Sequence, residues 1–433
     1  MNKAKARILM MVENHFPQDT RVKNEADLLA GAGYQVAVIA LQKGNQPRRE
    51  LVDGVTVYRI PHLELFNKTS PGRRTGMALL FLKARSALGY LVEYVYFTAA
   101  CLAVSSYVFL TRGFDVIHAH NPPDTLFLVA LPFKLLGKKF VFDHHDLCPE
   151  LYRSRYGAKE GFATGLLRLL ELCSLKLADI AIATNESYKA VQIQRAGKSP
   201  RRIFIVRNGP NHMRMAPVAP NPRLREMKKT ILCYVGSLNP QDGVDYLLRA
   251  LRHLLFDLKR SDFHCVIMGA GDSLHDLRRL AQNLGLNGCV ELPGFVPDEE
   301  LQANLAAADI CLDPDPSSPL NDVSTWIKVM EYMACAKPIV TFDLKETRFS
   351  AQDAAVYVEP NNEREFAKAI AQLMDQPELQ RQMGAFGRRR VERELQWAKV
   401  GQNLLAAYDA LLAAKRAAPA EEPLEKRSTV STS

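Results

Sequence analysis

At 433 residues the chain is too long for one ordinary core and fits two domains, and its 47% hydrophobic and 24% charged residues are ordinary soluble-globular usage. Eight cysteines lie scattered at 101, 148, 173, 233, 265, 289, 311 and 335, none in a CxxC pair or at zinc-ligand spacing, so reduced thiols are expected rather than disulfides or a metal cluster. The net charge of +9 is uneven, residues 1–214 carrying +13 and the remainder −4; a basic first half suits an anionic surface, whereas nucleic acid has only bulk charge in its favour.

The first predicted element is the apolar run Ile8–Val12, which ends in Glu13-Asn14-His15. It is too short for the core of a secretory signal and reads as a buried strand, so export is not expected. No GxGxxG follows it, which argues against a nicotinamide-binding fold. A helix at Arg21–Ala32 and a strand at Gln35–Ala40 come next. Ala78–Val92 is apolar apart from Lys83 and Arg85, and Tyr94–Thr111 has no charged residue for 18 positions, the lower edge for a membrane span. Gly113-Phe114-Asp115-Val116-Ile117 then starts a sheet strand at once, so the reading is a long helix packed on the domain with an interfacial face. Strands at Val116–Ala119, Phe140–Phe142 and Ile180–Ala183 alternate with helices at Leu126–Leu136 and Ala163–Leu177, the rhythm of an open parallel sheet.

That rhythm pauses at Arg207-Asn208-Gly209-Pro210 and in the proline-rich stretch holding Pro217, Pro220 and Pro222. The expected organisation is a first Rossmann-like domain at 1–208, a hinge linker at 209–228 and a second Rossmann-like domain at 229–395. Its strands begin at Ile231 and recur at Phe263–Met268, Ile310–Leu312 and Pro338–Thr341. Residues 396–416 read as a C-terminal helix returning to the first domain, and 417–433 as a disordered tail.

The second half carries an ordered series of motifs. They are Gly236-Ser237-Leu238, Gln241-Asp242-Gly243-Val244-Asp245, Met268-Gly269-Ala270-Gly271-Asp272, Pro293-Gly294-Phe295-Val296-Pro297, Asn321-Asp322-Val323-Ser324-Thr325 and Lys328-Val329-Met330-Glu331-Tyr332-Met333-Ala334. In this order and spacing they resemble the GT-B glycosyltransferases of the large retaining family 4. The segments 321–325, 328–334 and 343–347 (Asp-Leu-Lys-Glu-Thr) are similar to a bacterial exopolysaccharide-type branch. The resemblance implies an α/β fold of two doubly wound domains facing each other across a cleft. It also implies retaining transfer from a nucleotide-diphospho sugar, with no metal and no cofactor. Gly236, Gly269, Gly271, Phe295, Asp322, Ser324, Thr325, Lys328 and Glu331 would bind the donor. Gly269 and Gly271 end a strand and let backbone approach a ligand. Ser324 and Thr325 read as N-caps of the helix holding Glu331, whose free N–H groups attract a diphosphate. Glu331 takes the family's ribose-binding role; Lys328 is either a phosphate contact or one half of a surface Lys–Glu pair.

Two departures stand out. The first glutamate of the family's usual pair is replaced by Val323, and the basic residues expected in the first loop of this domain are Ser237 and Asp242. Asp313-Pro314-Asp315 looks like the metal motif of the other glycosyltransferase fold, but stands in the wrong architecture and reads as a structural loop.

In the first half, His15-Phe16-Pro17-Gln18-Asp19-Thr20-Arg21 replaces a glycine-rich acceptor loop; Asp19 and Arg21 are acceptor candidates, with helix capping the larger share for Asp19. His118-Ala119-His120-Asn121-Pro122-Pro123-Asp124 and Asp143-His144-His145-Asp146 put dense histidine and aspartate at two successive strand ends. A metal site competes there, but adjacent residues of a strand end point to opposite faces. His145 matches a histidine that contacts the transferred sugar in the family, with Asp146 as its expected orienting partner and His120 as an acceptor contact. The acceptor is expected to be a glycan or a polyprenyl-phosphate-type lipid, met by a cytoplasmic protein peripheral at an anionic membrane. Two other readings remain open: a sugar-nucleotide enzyme that isomerises without transfer, and a non-catalytic scaffold subunit.

Overall fold

The computed structural model of the chain describes residues 4–63, 77–156, 160–210 and 218–416. The expected disordered tail and the middle of the expected linker lie outside them. Two sheets organise the molecule. The first has eight strands, β1 (Arg7–His15), β2 (Gln35–Leu41), β3 (Arg49–Val52), β4 (Val55–Ile60), β5 (Val116–His120), β6 (Lys139–His144), β7 (Ile180–Ala183) and β8 (Ile203–Ile205), in the order β3-β4-β2-β1-β5-β6-β7-β8. All neighbours run parallel except the β3–β4 hairpin. The second has six parallel strands, β9 (Thr230–Val235), β10 (Phe263–Met268), β11 (Val290–Gly294), β12 (Ile310–Asp313), β13 (Ile339–Phe342) and β14 (Ala355–Val358), in the order β11-β10-β9-β12-β13-β14. Each order reverses beside its first parallel strand, at β1/β5 and at β9/β12. Ligands of open α/β sheets bind in the crevice beyond such a switch point.

Six helices of the first half frame its sheet: α1 (Thr20–Gly31), α2 (Met77–Thr111), α3 (Phe127–Leu135), α4 (Cys148–Tyr156), α5 (Phe162–Leu177) and α6 (Glu186–Ala196). α2 explains itself by spacing. Glu93, Phe97, Cys101, Ser105 and Val108 recur every three or four residues and are buried against the sheet, while Leu91, Val95, Leu102 and Leu110 on other faces are exposed. By length and composition Leu91–Thr111 is apolar enough to cross a membrane, yet one stripe of it is core of this domain.

The stretch read as one helix from 396 is broken. A π turn at Val391–Leu395 and the single turn Trp397–Val400 precede the helix Gln402–Arg416. Trp397, Val400, Leu404, Tyr408 and Leu411 join Ile8, Met10, Val36, Val38 and Ile180 in the core under the first sheet. The chain thus crosses back after the second sheet is complete. Leu404→Ala should therefore destabilise the first half, by about 2–5 kcal/mol for a fully buried leucine, and lower the melting temperature measured by calorimetry; an unchanged melting point would show that the returning helix is not part of that core.

Candidate functional site

The carboxyl ends of β1, β5 and β6 present one connected polar cluster. After β1 the chain turns into α1, and Asp19 caps it: its Oδ1 accepts from the Val22 amide at 3.0 Å and its Oδ2 from Asn14 at 2.9 Å. Two residues on, Arg21 points inward. Its Nε and Nη2 donate to the two oxygens of Asp143 at 2.7 and 2.9 Å, and its Nη1 donates to Asn208 at 2.7 Å and to the Val206 carbonyl at 3.1 Å. One turn later Glu25, wholly buried, sets Oε1 at 3.3 Å from Arg21 Nε. Strand register puts His120 beside Asp143, and His120 Nδ1 donates to Asp143 Oδ2 at 3.0 Å.

His145 follows β6 and is the partly exposed member of the cluster, its Nδ1 3.6 Å from Asp143 Oδ2. Its main chain is fixed from the neighbouring strand end: Asn121 Oδ1 accepts the amides of His145 (2.9 Å) and Asp146 (3.1 Å), and Asn121 Nδ2 donates to the Asp146 carbonyl at 2.7 Å. Burial opposes charge on Asp143, but the Arg21 guanidinium and the His120 hydrogen bond hold its carboxyl well below the usual range. Burial likewise disfavours the His145 imidazolium, and Asp143 outweighs it, holding that imidazole above its ordinary value.

The first-domain expectations change accordingly. Asp143, rather than Asp146, faces the His145 ring. His120 is fully buried and hydrogen-bonded inward, and the Arg21 fork is consumed by Asp143 and Asn208, so neither offers an acceptor an open contact. Asp19 is the helix cap. Asn121 and Asp143 were visible as letters in the histidine–aspartate segments, but only the β5–β6 register gives them their partners. Arg21 and Glu25 lie four apart on one helical face, a spacing that could have marked them.

At the second sheet, loops pack main chain on main chain. A Cβ on Gly269, where φ is +151°, would stand 1.7 Å from the Gly236 carbonyl oxygen, and one on Gly271 would stand 2.4 Å from that of Leu238. These glycines are required first by each other's loops. The helix carrying Glu331 begins at Ile327, with Trp326 at the cap position and no side-chain cap bond. Ser324 and Thr325 are therefore not N-caps. Ser324 Oγ donates to the Leu320 carbonyl at 2.8 Å and lies 3.4 Å from Tyr188 Oη; Thr325 Oγ1 accepts from Asn185 Nδ2 at 2.9 Å. Both tie this loop to α6 of the first domain. A second tie is Glu346, which accepts from Ser187 Oγ at 2.6 Å.

Lys328 is no surface residue. Its Nζ is buried, 2.6 Å from Asp315 and 3.2 Å from Asp313, so the two aspartates of the Asp-Pro-Asp segment hold this ammonium. Burial alone would lower the Lys328 pKa, but Asp315 and Asp313 drive it well up. Glu331, one turn on, is also buried; Asp322 accepts from Ser317 Oγ at 3.2 Å, and Phe295 stands 80% exposed.

Comparison with known proteins adds an independent finding. Residues 18–209 match the model of the family described as glycosyl transferase 4-like domain, and residues 218–390 match glycosyl transferases group 1; together they cover most of the chain. The D-inositol 3-phosphate glycosyltransferase of Geodermatophilus obscurus is 27% identical over 54% of this chain, and the match spans only about half of that protein, 53%. The MMP alpha-(1->4)-mannosyltransferase of Mycolicibacterium hassiacum is 23% identical over 92% of this chain and 95% of its own. Among solved structures, sucrose-phosphate synthase from Thermosynechococcus elongatus superposes with a TM-score of 0.70 at 19% identity, covering 95% of this chain and all (100%) of that one. Anabaena HepE, solved with UDP and glucose, gives 0.66 at 14% identity, covering 94% and 100%. At these identities the superpositions establish the two-domain GT-B fold.

The cluster makes a graded prediction. Because Asp143 is the main group raising the His145 pKa and Asp146 a lesser one, Asp143→Asn should lower that pKa more than Asp146→Asn does. Histidine-selective NMR titration reads both; equal shifts, or a larger one from Asp146→Asn, would contradict the assignment of Asp143 as orienting partner.

Proposed function

The chain belongs to the GT-B glycosyltransferases of family 4, and from that premise we propose that it transfers a sugar, with retention, from a nucleotide-diphospho sugar to a lipid-linked or cell-surface glycan acceptor at the cytoplasmic face of a membrane. The observation that carries the reading is the pairing of two halves: His145 over Asp143 at one sheet's carboxyl edge, and the glycine loops with Glu331 at the other's. UDP-type donors are the first to test, since HepE was solved with UDP-glucose.

In a front-side displacement the leaving phosphate itself takes the acceptor proton. The protein's share is then orientation, charge stabilisation and exclusion of water. His145, held by Asp143, is placed to donate to a sugar hydroxyl. Glu331 accepts from the ribose hydroxyls. With Lys328 already held by two aspartates, the diphosphate is met mainly by main-chain N–H groups of the glycine loops and of the 327–334 helix start.

The acceptor side of the proposal rests on the surface of the first domain. Leu91, Val95 and Leu110 of α2 and Leu128, Leu131 and Leu135 of α3 are exposed on two helices that pack together, and residues 1–214 carry +13. An apolar face in a basic domain suits an anionic bilayer better than free solution. Replacing Leu91, Val95 and Leu110 with glutamine should abolish co-flotation with phosphatidylglycerol vesicles; flotation at wild-type level would remove this support.

The activity test is incubation of the purified chain with a panel of nucleotide-sugars and a membrane-lipid extract, following released nucleotide. Lipid-dependent release names the donor. The absence of release together with the absence of a donor-induced thermal shift would overturn the proposal in favour of a scaffold. Glu331→Ala should raise the donor KM, and His145→Ala should lower kcat, each about ten- to hundredfold for a charge-assisted hydrogen bond lost at the reacting complex. Wild-type constants in both would refute these roles.

A further inference from the structure

Beneath His145, three buried atoms converge without a hydrogen-bond partner: Glu25 Oε2, His118 Nε2 and His120 Nε2. Glu25 Oε2 lies 3.8 Å from His118 Nε2 and 3.9 Å from His120 Nε2, and all three residues are fully buried. His118 and His120 are two apart on β5 and so share a face; their rings stack with centroids 4.3 Å apart. Each ring's other nitrogen is engaged. His120 Nδ1 faces Asp143 Oδ2 at 3.0 Å, and His118 Nδ1 faces Tyr408 Oη, from the returning helix, at 3.1 Å. Asp143 is an ionised acceptor held by Arg21, so the His120 proton sits on Nδ1 and its Nε2 is a bare lone pair.

We propose that Glu25, His118 and His120 form a buried structural site for one zinc-type divalent cation, with Tyr408 and Asp143 as the outer partners of the two imidazoles. Two imidazole nitrogens and a carboxylate oxygen are ligands suited to first-row divalent ions, and a His whose second nitrogen is held by a carboxylate or hydroxyl is the usual arrangement at such sites. Arg21 Nε lies 3.3 Å from Glu25 Oε1 without a hydrogen bond, and Oε2 is the oxygen that faces the two imidazoles.

The competing occupant is a protonated Glu25 with one water between it and the histidines. Distances separate the two. Tetrahedral zinc with bonds of about 2.0–2.2 Å sets its ligand atoms about 3.4 Å apart. A water making hydrogen bonds of about 2.8 Å at tetrahedral angles sets its partners about 4.6 Å apart. The observed 3.8 and 3.9 Å lie nearer the metal spacing. No step of glycosyl transfer passes through this ion; it fixes the floor on which Asp143 and His145 rest.

The test uses the full chain purified without a metal-affinity tag, refolded with Zn²⁺ alone, then dialysed against metal-free buffer. Elemental analysis should find about one zinc per chain. Glu25→Gln should lose the zinc and melt at a lower temperature, because glutamine mimics the neutral acid but not the anionic ligand. Tyr408→Phe, which removes one hydroxyl, should keep the fold and bind zinc about tenfold more weakly. No stoichiometric zinc in the wild-type chain, equal zinc in Glu25→Gln, or a wild-type melting point for Glu25→Gln would each overturn the site; the last assigns the pocket to the proton and water. If Glu25→Gln does not fold, the zinc content of the wild type and of Tyr408→Phe decides alone.

Discussion

The buried pair of Arg21 and Asp143 is the interaction on which the first half of the site depends. A guanidinium taken from water is costly unless its donors are met, and here four hydrogen bonds meet it from β6, the Val206 carbonyl and Asn208. The same pair keeps Asp143 ionised. Ionised, it accepts from His120 Nδ1 and, against burial, holds the His145 imidazole above its ordinary value. It also joins α1 to the end of the first domain, where the chain leaves for the second. Loosening it would disturb orientation at His145 and the seating of Val206 and Asn208 together.

The second half is held by a different device. Its loops touch through main chain, with Gly269 and Gly271 removing side chains that would collide with neighbouring carbonyls and Gly236 one that would meet the Tyr234 hydroxyl. A surface made in this way offers N–H groups and little charge. The loop before the 327–334 helix meets the start of α6, Thr325 against Asn185 and Ser324 against Tyr188, and Glu346, farther along the chain, accepts from Ser187. Apolar contact accompanies these polar ones, because Leu320 is buried in the first domain's core and Val323 packs against it.

Much of this was legible in the letters. Alternating apolar runs and amphipathic helices gave the two doubly wound sheets, because strands buried on both faces read as continuous hydrophobic stretches. The short edge strands were not legible: β3 is Arg-Glu-Leu-Val, largely exposed, and β8 has three residues, so neither carries a core signature. His145 stood out because a motif surrounds it. Its orienting partner did not, since Asp146 is the immediate neighbour and Asp143 lies two positions back, and only the folded strand end shows that Asp143 turns toward the ring. Ser324 and Thr325 have the right chemistry for a helix start, but the loop was already committed to the first domain. The helix therefore starts later, at Ile327. Tyr408 was invisible, a hydroxyl within the otherwise apolar stripe of the returning helix.

The departures from the family pattern become coherent at Lys328. Where relatives of this kind are expected to carry basic residues in the loop after β9, this chain has Ser237 and Asp242, and Asp242 is buried within the electrostatic reach of Lys328. Asp313 and Asp315 complete an acidic nest around that one ammonium. The ammonium of Lys328 thus sits on a helix and faces the core. A buried lysine balanced by carboxylates fixes the helix position firmly but projects little field toward a ligand, because its charge is neutralised at 2.6 Å. The aspartate pair that looks like a metal motif is here the counter-charge for Lys328.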